Sequence, residues 1–160
     1  MIYKKIGIIL LIVYLAAGCE KENVELGVEQ FFVEHQQKKY AITSSSQLND
    51  FVTEILNKQN ISVSKAAFKR ATDEYGEFYG ILAEYDEQGK RVSVSLQLKK
   101  LQSSENFLSF TLGCTMTCTP MNGCNGCKQV IVRECVAQSC SCTSGIGGCE
   151  SEITVPDPEQ

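Results

Sequence analysis

The sequence predicts an α+β fold, with one or two N-terminal helices packed on a three- to four-stranded antiparallel sheet. A small Cys-rich, disulfide-stapled module is expected to follow. Three observations carry this expectation. Apolar residues recur at helical spacing as far as Leu56, they alternate with a period of two from Glu77 to Gly113, and eight of the nine cysteines crowd into residues 114–149. The implied organisation is a signal peptide over 1–18, a short polar tether over 19–27 and an α+β domain over 28–113. A Cys-rich module over 114–150 and a disordered tail over 151–160 complete it.

Taken in order, Val24, Val28, Phe31, Phe32 and His35 fall on one helical stripe, which predicts a first helix between Val24 and Lys39. Gly27 weakens its first turn. A second helix is better signalled. Ser44 and Gln47 have the spacing of a capping box, Leu48, Phe51, Val52, Ile55 and Leu56 form its apolar stripe, and Asn57 to Asn60 stops it. Residues 61–72 suit a first strand turning at Asp73–Gly76. Tyr79, Ile81, Ala83 and Tyr85 then share one face of a strand, and Asp86–Lys90 supplies a loop with Gly89 for a positive φ. Val92, Val94, Leu96 and Leu98 alternate with Ser93, Ser95, Gln97 and Lys99. That pattern predicts one buried and one wet face, and hence antiparallel pairing. Leu108, Phe110 and Leu112 align on the last strand. This order of elements resembles cystatin-like folds, an analogy that carries no function.

From Cys114 the composition turns to Gly, Ser, Thr and Cys. The cysteines are Cys114, Cys118, Cys124, Cys127, Cys135, Cys140, Cys142 and Cys149. Val130, Ile131, Val132, Val136 and Ile146 are the sizeable aliphatic residues among them, too few to build a core. Disulfides contribute ~3 kcal/mol each for loops of about fifteen residues, so cross-links are the expected stabiliser. Their connectivity is not legible, because eight cysteines allow about a hundred pairings. Cys140 and Cys142, one residue apart, are expected to pair elsewhere than with each other. Two other chemistries compete. A Zn²⁺ or iron–sulfur site could use Cys124-Asn125-Gly126-Cys127 with Cys140 and Cys142, although the second pair is too closely spaced and no histidine is near. A thiol–disulfide oxidoreductase could use Cys124 and Cys127, although a turn precedes them in place of the usual strand and helix.

The beginning of the chain bears on its location. Lys4 and Lys5 precede an apolar run from Ile6 to Ala17, which reads as a secretory signal peptide. The run is shorter than the ~20 residues a membrane-spanning helix requires. Leu15-Ala16-Ala17-Gly18-Cys19 resembles the lipobox of bacterial lipoproteins. The resemblance implies cleavage before Cys19 and its acylation, palmitate included, with the membrane reached through that lipid anchor. Ala16 stands where that family most often has Leu. Glu20 at the next position, in place of Asp, implies the outer membrane, facing the periplasm or the surface.

The net charge is −4 at pH 7, and about −6 without Lys4 and Lys5, which disfavours nucleic acid as a partner. His35 is the one histidine, so no triad or histidine-based metal site is built. The acidic residues Asp73, Glu74, Glu77, Glu84, Asp86 and Glu87 lack the alternation of a calcium loop, and Gly145-Ile146-Gly147-Gly148 lacks the Lys of a phosphate loop. No cofactor, resident metal or catalytic residue is expected. The expected function is a non-enzymatic binding or structural role in the cell envelope, toward an envelope protein or an extracellular ligand.

Overall fold

The computed structural model describes residues 24–25, 30–58, 60–101, 107–131, 133 and 140–155. Cys19, Cys135 and the expected signal peptide lie outside them. The described chain is mostly β. One large mixed sheet of ten strands carries a single helix, in place of the three- to four-stranded antiparallel sheet with one or two helices. The elements are β1 (Val24–Glu25), β2 (Phe31–His35), β3 (Lys38–Ile42), α1 (Ser45–Leu56), β4 (Val63–Asp73) and β5 (Gly76–Glu87). They continue with β6 (Lys90–Lys100), β7 (Leu108–Met121), β8 (Cys124–Lys128), β9 (Ser141–Gly145) and β10 (Gly148–Thr154). Their spatial order is β1-β4-β5-β6-β7-β2-β3, with β10 also on β7, and β8 bridging β6 and β9.

The expected first helix is instead the hairpin β2–β3. Phe31 and Val33 alternate into the core, with both side chains fully buried, while Phe32 turns outward and meets Phe107 edge-on. Gln36 and Gln37 form the turn, both at positive φ (48° and 62°). That two-residue turn ordinarily draws Asn or Gly, so the sequence hid it. Burial in a sheet outweighed a helical stripe that five residues spelled by coincidence. Phe31 stacks on Phe68 at 4.4 Å and meets Phe110 at 5.9 Å, which joins three distant strands in one aromatic cluster.

The helix α1 begins as its residues dictate. Ser44 is extended and its Oγ accepts from the Gln47 backbone N–H at 3.2 Å, while Gln47 Oε1 reaches back to the Thr43 N–H at 2.8 Å. Asn57, at φ 45°, ends it. Its stripe of Leu48, Phe51 and Val52 covers one face of the sheet, over Tyr79, Ile81, Ala83 and Tyr85 of β5 and Val92, Val94, Leu96 and Leu98 of β6.

The other face of β6 is also buried, against the expectation of a wet surface: Ser93, Ser95 and Gln97 are each at most 7 % exposed. The segment following β8 crosses there as a strap. Ile131 packs with Ala71, Phe78 and Leu82 above the bare backbone of Gly80, where an added Cβ would lie 2.8 Å from its Cγ2. Gln129 donates to the Met116 carbonyl at 3.1 Å. Arg133 grips Asp73 through two hydrogen bonds, at 2.8 and 2.7 Å, and lies over the Phe78 ring.

The Cys-rich stretch is not an appended module, because β7 runs unbroken through its first residue. A bulge in β7 explains how one strand serves two layers. Leu98 pairs with Leu112 but Leu96 pairs with Thr115, so β7 carries one extra residue beside Gln97. An extra residue reverses the alternation of side chains. Phe110 and Leu112 therefore join the helix-covered core, whereas Met116 and Cys118, still at even positions, join a sulfur-rich cluster on the opposite face. Ser151–Thr154, expected in the tail, belong to β10 and pair with β7 from Cys118 back to Thr115.

Candidate functional site

Three disulfides tie the far end of the sheet: Cys118–Cys140, Cys124–Cys142 and Cys127–Cys149, with Cα separations of 5.8, 5.9 and 6.1 Å. These are ordinary spacings for cystine. The chain is thus Cys-rich and disulfide-bonded. Cys114, buried beside Gln97, is disulfide-bonded as well. Cys140 and Cys142 each bond a different strand. Cys124 and Cys127 are not joined to each other, so the C-x2-C pair is not a closed two-cysteine couple of the kind the oxidoreductase reading requires. Cys140, named with Cys124, Cys127 and Cys142 in the metal reading, lies with Cys118 instead, and Cys149 takes its place. The Sγ atoms of Cys124, Cys127 and Cys149 all lie within 4.8 Å of one another. Met116 and Ile153 supply the apolar company of this cluster.

A second feature arises where β7 changes partners. On one edge, β2 pairs with β7 as far as Thr111 in parallel, and β10 takes over at Thr115 in antiparallel. Among the described residues, no strand pairs with Leu112 or Gly113 on that edge. The interruption opens into a groove of about 920 Å³. Its walls are the β2–β3 turn with Glu34, His35, Lys38 and Lys39, the end of α1 with Ile55 and Asn57, and Lys99 of β6. Thr111, Thr115, Thr154 and Val155 complete it.

The charges of the groove are partly engaged. Lys38 Nζ donates to Glu54 Oε1 at 2.6 Å, and the Tyr40 hydroxyl donates to the same oxygen at 2.8 Å. These two hydrogen bonds hold the Glu54 carboxyl below the usual carboxylate range, and the bond from Lys38 raises that ammonium in turn. Partial burial lowers the His35 imidazole below its ordinary value, and the nearby Glu54 charge opposes that only in part. Lys39 Nζ lies 4.5 Å over the Phe32 ring. Sequence reasoning missed this groove, because its residues come from six elements that only the tertiary structure brings together. The Asp73–Arg133 clamp, 60 residues apart in sequence, was equally silent.

Among the described residues no helix is long and apolar enough to cross a membrane. Comparison with protein-family models, with curated proteins and with solved structures finds no match.

Proposed function

We propose that this chain is an outer-membrane lipoprotein, acylated at Cys19, whose folded part binds an envelope protein or an extracellular ligand without catalysis. The observation that carries the reading is the groove at the interrupted edge of β7. It sits on a sheet locked by cystines, and cystines persist in oxidising compartments outside the cytoplasm. A lipobox-like ending at Cys19 supports export to such a compartment. A rigid edge flanked by Lys39, Lys99 and threonine hydroxyls suits an extended polar segment laid along the sheet, as in recognition by strand addition.

Two measurements test this reading. Metabolic labelling with palmitate should mark the native chain and not Cys19→Ser, and label on the variant would remove the anchor from the proposal. A photo-crosslinking residue at Thr154, inside the groove, should yield a discrete adduct in intact cells, whereas one at exposed Lys65 on β4 should not. Equal adducts from both positions, or none from Thr154, would overturn the groove.

A further inference from the structure

We propose that the reduced chain holds one Zn²⁺ at Cys124, Cys127, Cys142 and Cys149, so that the pair of neighbouring cystines is the oxidised form of a metal site. The inference is independent of the groove and begins with the backbone of β8. Residues three apart on a regular strand point to opposite faces. Cys124 and Cys127 do not. Register shifts on both sides of Gly126 turn both thiols into one pocket, where each is at most 2 % exposed. Gly126 gives the tight passage between them, with its carbonyl held by Thr143 Oγ1 at 2.9 Å.

The spacing fits the metal. Four sulfurs at ~2.3 Å from a tetrahedral Zn²⁺ stand about 3.8 Å from one another. Cys124 Sγ and Cys149 Sγ, which belong to different cystines, are already 3.8 Å apart, and Cys127 Sγ lies within 4.8 Å of both. Cys142, bonded to Cys124 and opposite Cys127 in the β8–β9 register, lies outside the 4.8 Å group of the other three and would move in as the fourth donor once its bridge is reduced. Reduction of the two bridges takes two electrons and two protons each, supplied by two dithiol donors that become disulfides. Zn²⁺ then displaces four thiol protons and leaves a tetrathiolate of net charge −2.

The metal also has a structural reason to bind. Without its bridges this end of the sheet retains little apolar packing beyond Met116 and Ile153. Ligation would then be a folding term, as in small zinc modules.

The test uses the full chain in detergent, reduced with a phosphine and titrated with Co²⁺. One Co²⁺ per chain should bind, with the thiolate charge-transfer and intense visible bands of a tetrahedral tetrathiolate, and Zn²⁺ should bleach them. Cys127→Ser with Cys149→Ser should abolish those bands, while Cys118→Ser with Cys140→Ser should keep them. Absent bands, or equal loss in both double variants, would overturn the proposal. Limited proteolysis supplies the second readout. The Zn²⁺-loaded reduced chain should protect residues 140–155, which contain no Lys or Arg for trypsin, from a protease of broad specificity, and an equally digestible segment would show ligation by an unfolded chain and sink the idea.

Discussion

Truncating Ile131 to Ala measures whether the strap over the second face of the sheet is a structural layer. The side chain is 4 % exposed and sits against Ala71, Phe78, Leu82 and the backbone of Gly80. Three carbons beyond Cβ are lost, which at ~0.8 kcal/mol each amounts to about 2.4 kcal/mol of transfer free energy. The hollow left between strap and sheet raises the cost to about 3 kcal/mol. Urea unfolding with disulfides intact should show that loss as a lower midpoint at unchanged slope, and Tm should fall by roughly 10 °C. The neighbouring glycine sharpens the test. Gly80→Ala alone places a methyl 2.8 Å from Ile131 Cγ2, an overpacking of ~1–3 kcal/mol; in the Ile131→Ala background that contact is gone, while the Leu96 carbonyl oxygen at 2.9 Å and the Cβ of residue 131 at 3.1 Å remain, so the relief is partial. The double variant should therefore be more stable than the two losses added predict. A loss of about 0.5 kcal/mol or less for Ile131→Ala, as at a surface position, with simple additivity, would refute the reasoning.

Three other outcomes are expected. Gly113→Ala at the β7 bulge would drive its Cβ into the Gln97 side chain, so it should destabilise by ~1–3 kcal/mol, and Gln97→Ala should recover part of that loss in a denaturant-midpoint series. Because burial lowers the imidazole of His35, the unfolded chain binds its proton more tightly. Stability assigned to this group is thus full above the ordinary imidazole value, and is lost as pH falls through the window between the unfolded and the lower folded value. Comparing native and His35→Gln midpoints from about pH 8 to about pH 5 should show the native chain losing more, and parallel curves would contradict it. Cys118→Ser with Cys140→Ser, which opens a loop of 22 residues, should lower stability by about 3 kcal/mol in the same assay.

Local chemistry was legible wherever a residue signals its own neighbours. Ser44 and Gln47 announced the start of α1 and Asn57 its end. Gly89, at φ 74°, marked the β5–β6 turn, and strict alternation marked the inner faces of β5 and β6. Where the sequence misled, a distant contact had decided the matter. Phe31, Phe32 and His35 fit a helical stripe, but the aromatic pocket made by Phe68 and Phe110 selects a strand. Ser93, Ser95 and Gln97 look solvated, yet they are buried, on the face of the sheet where Gln129 and Ile131, more than thirty residues later, also pack.

What the residues alone determined about this protein is its local punctuation and its dependence on sulfur, since a stretch poor in large apolar side chains and rich in cysteine must be cross-linked to hold a shape. What only the tertiary structure decided is which cysteine meets which, and where the groove opens. The one extra residue in β7 is part of that decision, since it sends Phe110 and Leu112 to one layer and Met116 and Cys118 to the other. A bulge of that kind depends on the strand paired beside it, and no count of alternating residues contains its position.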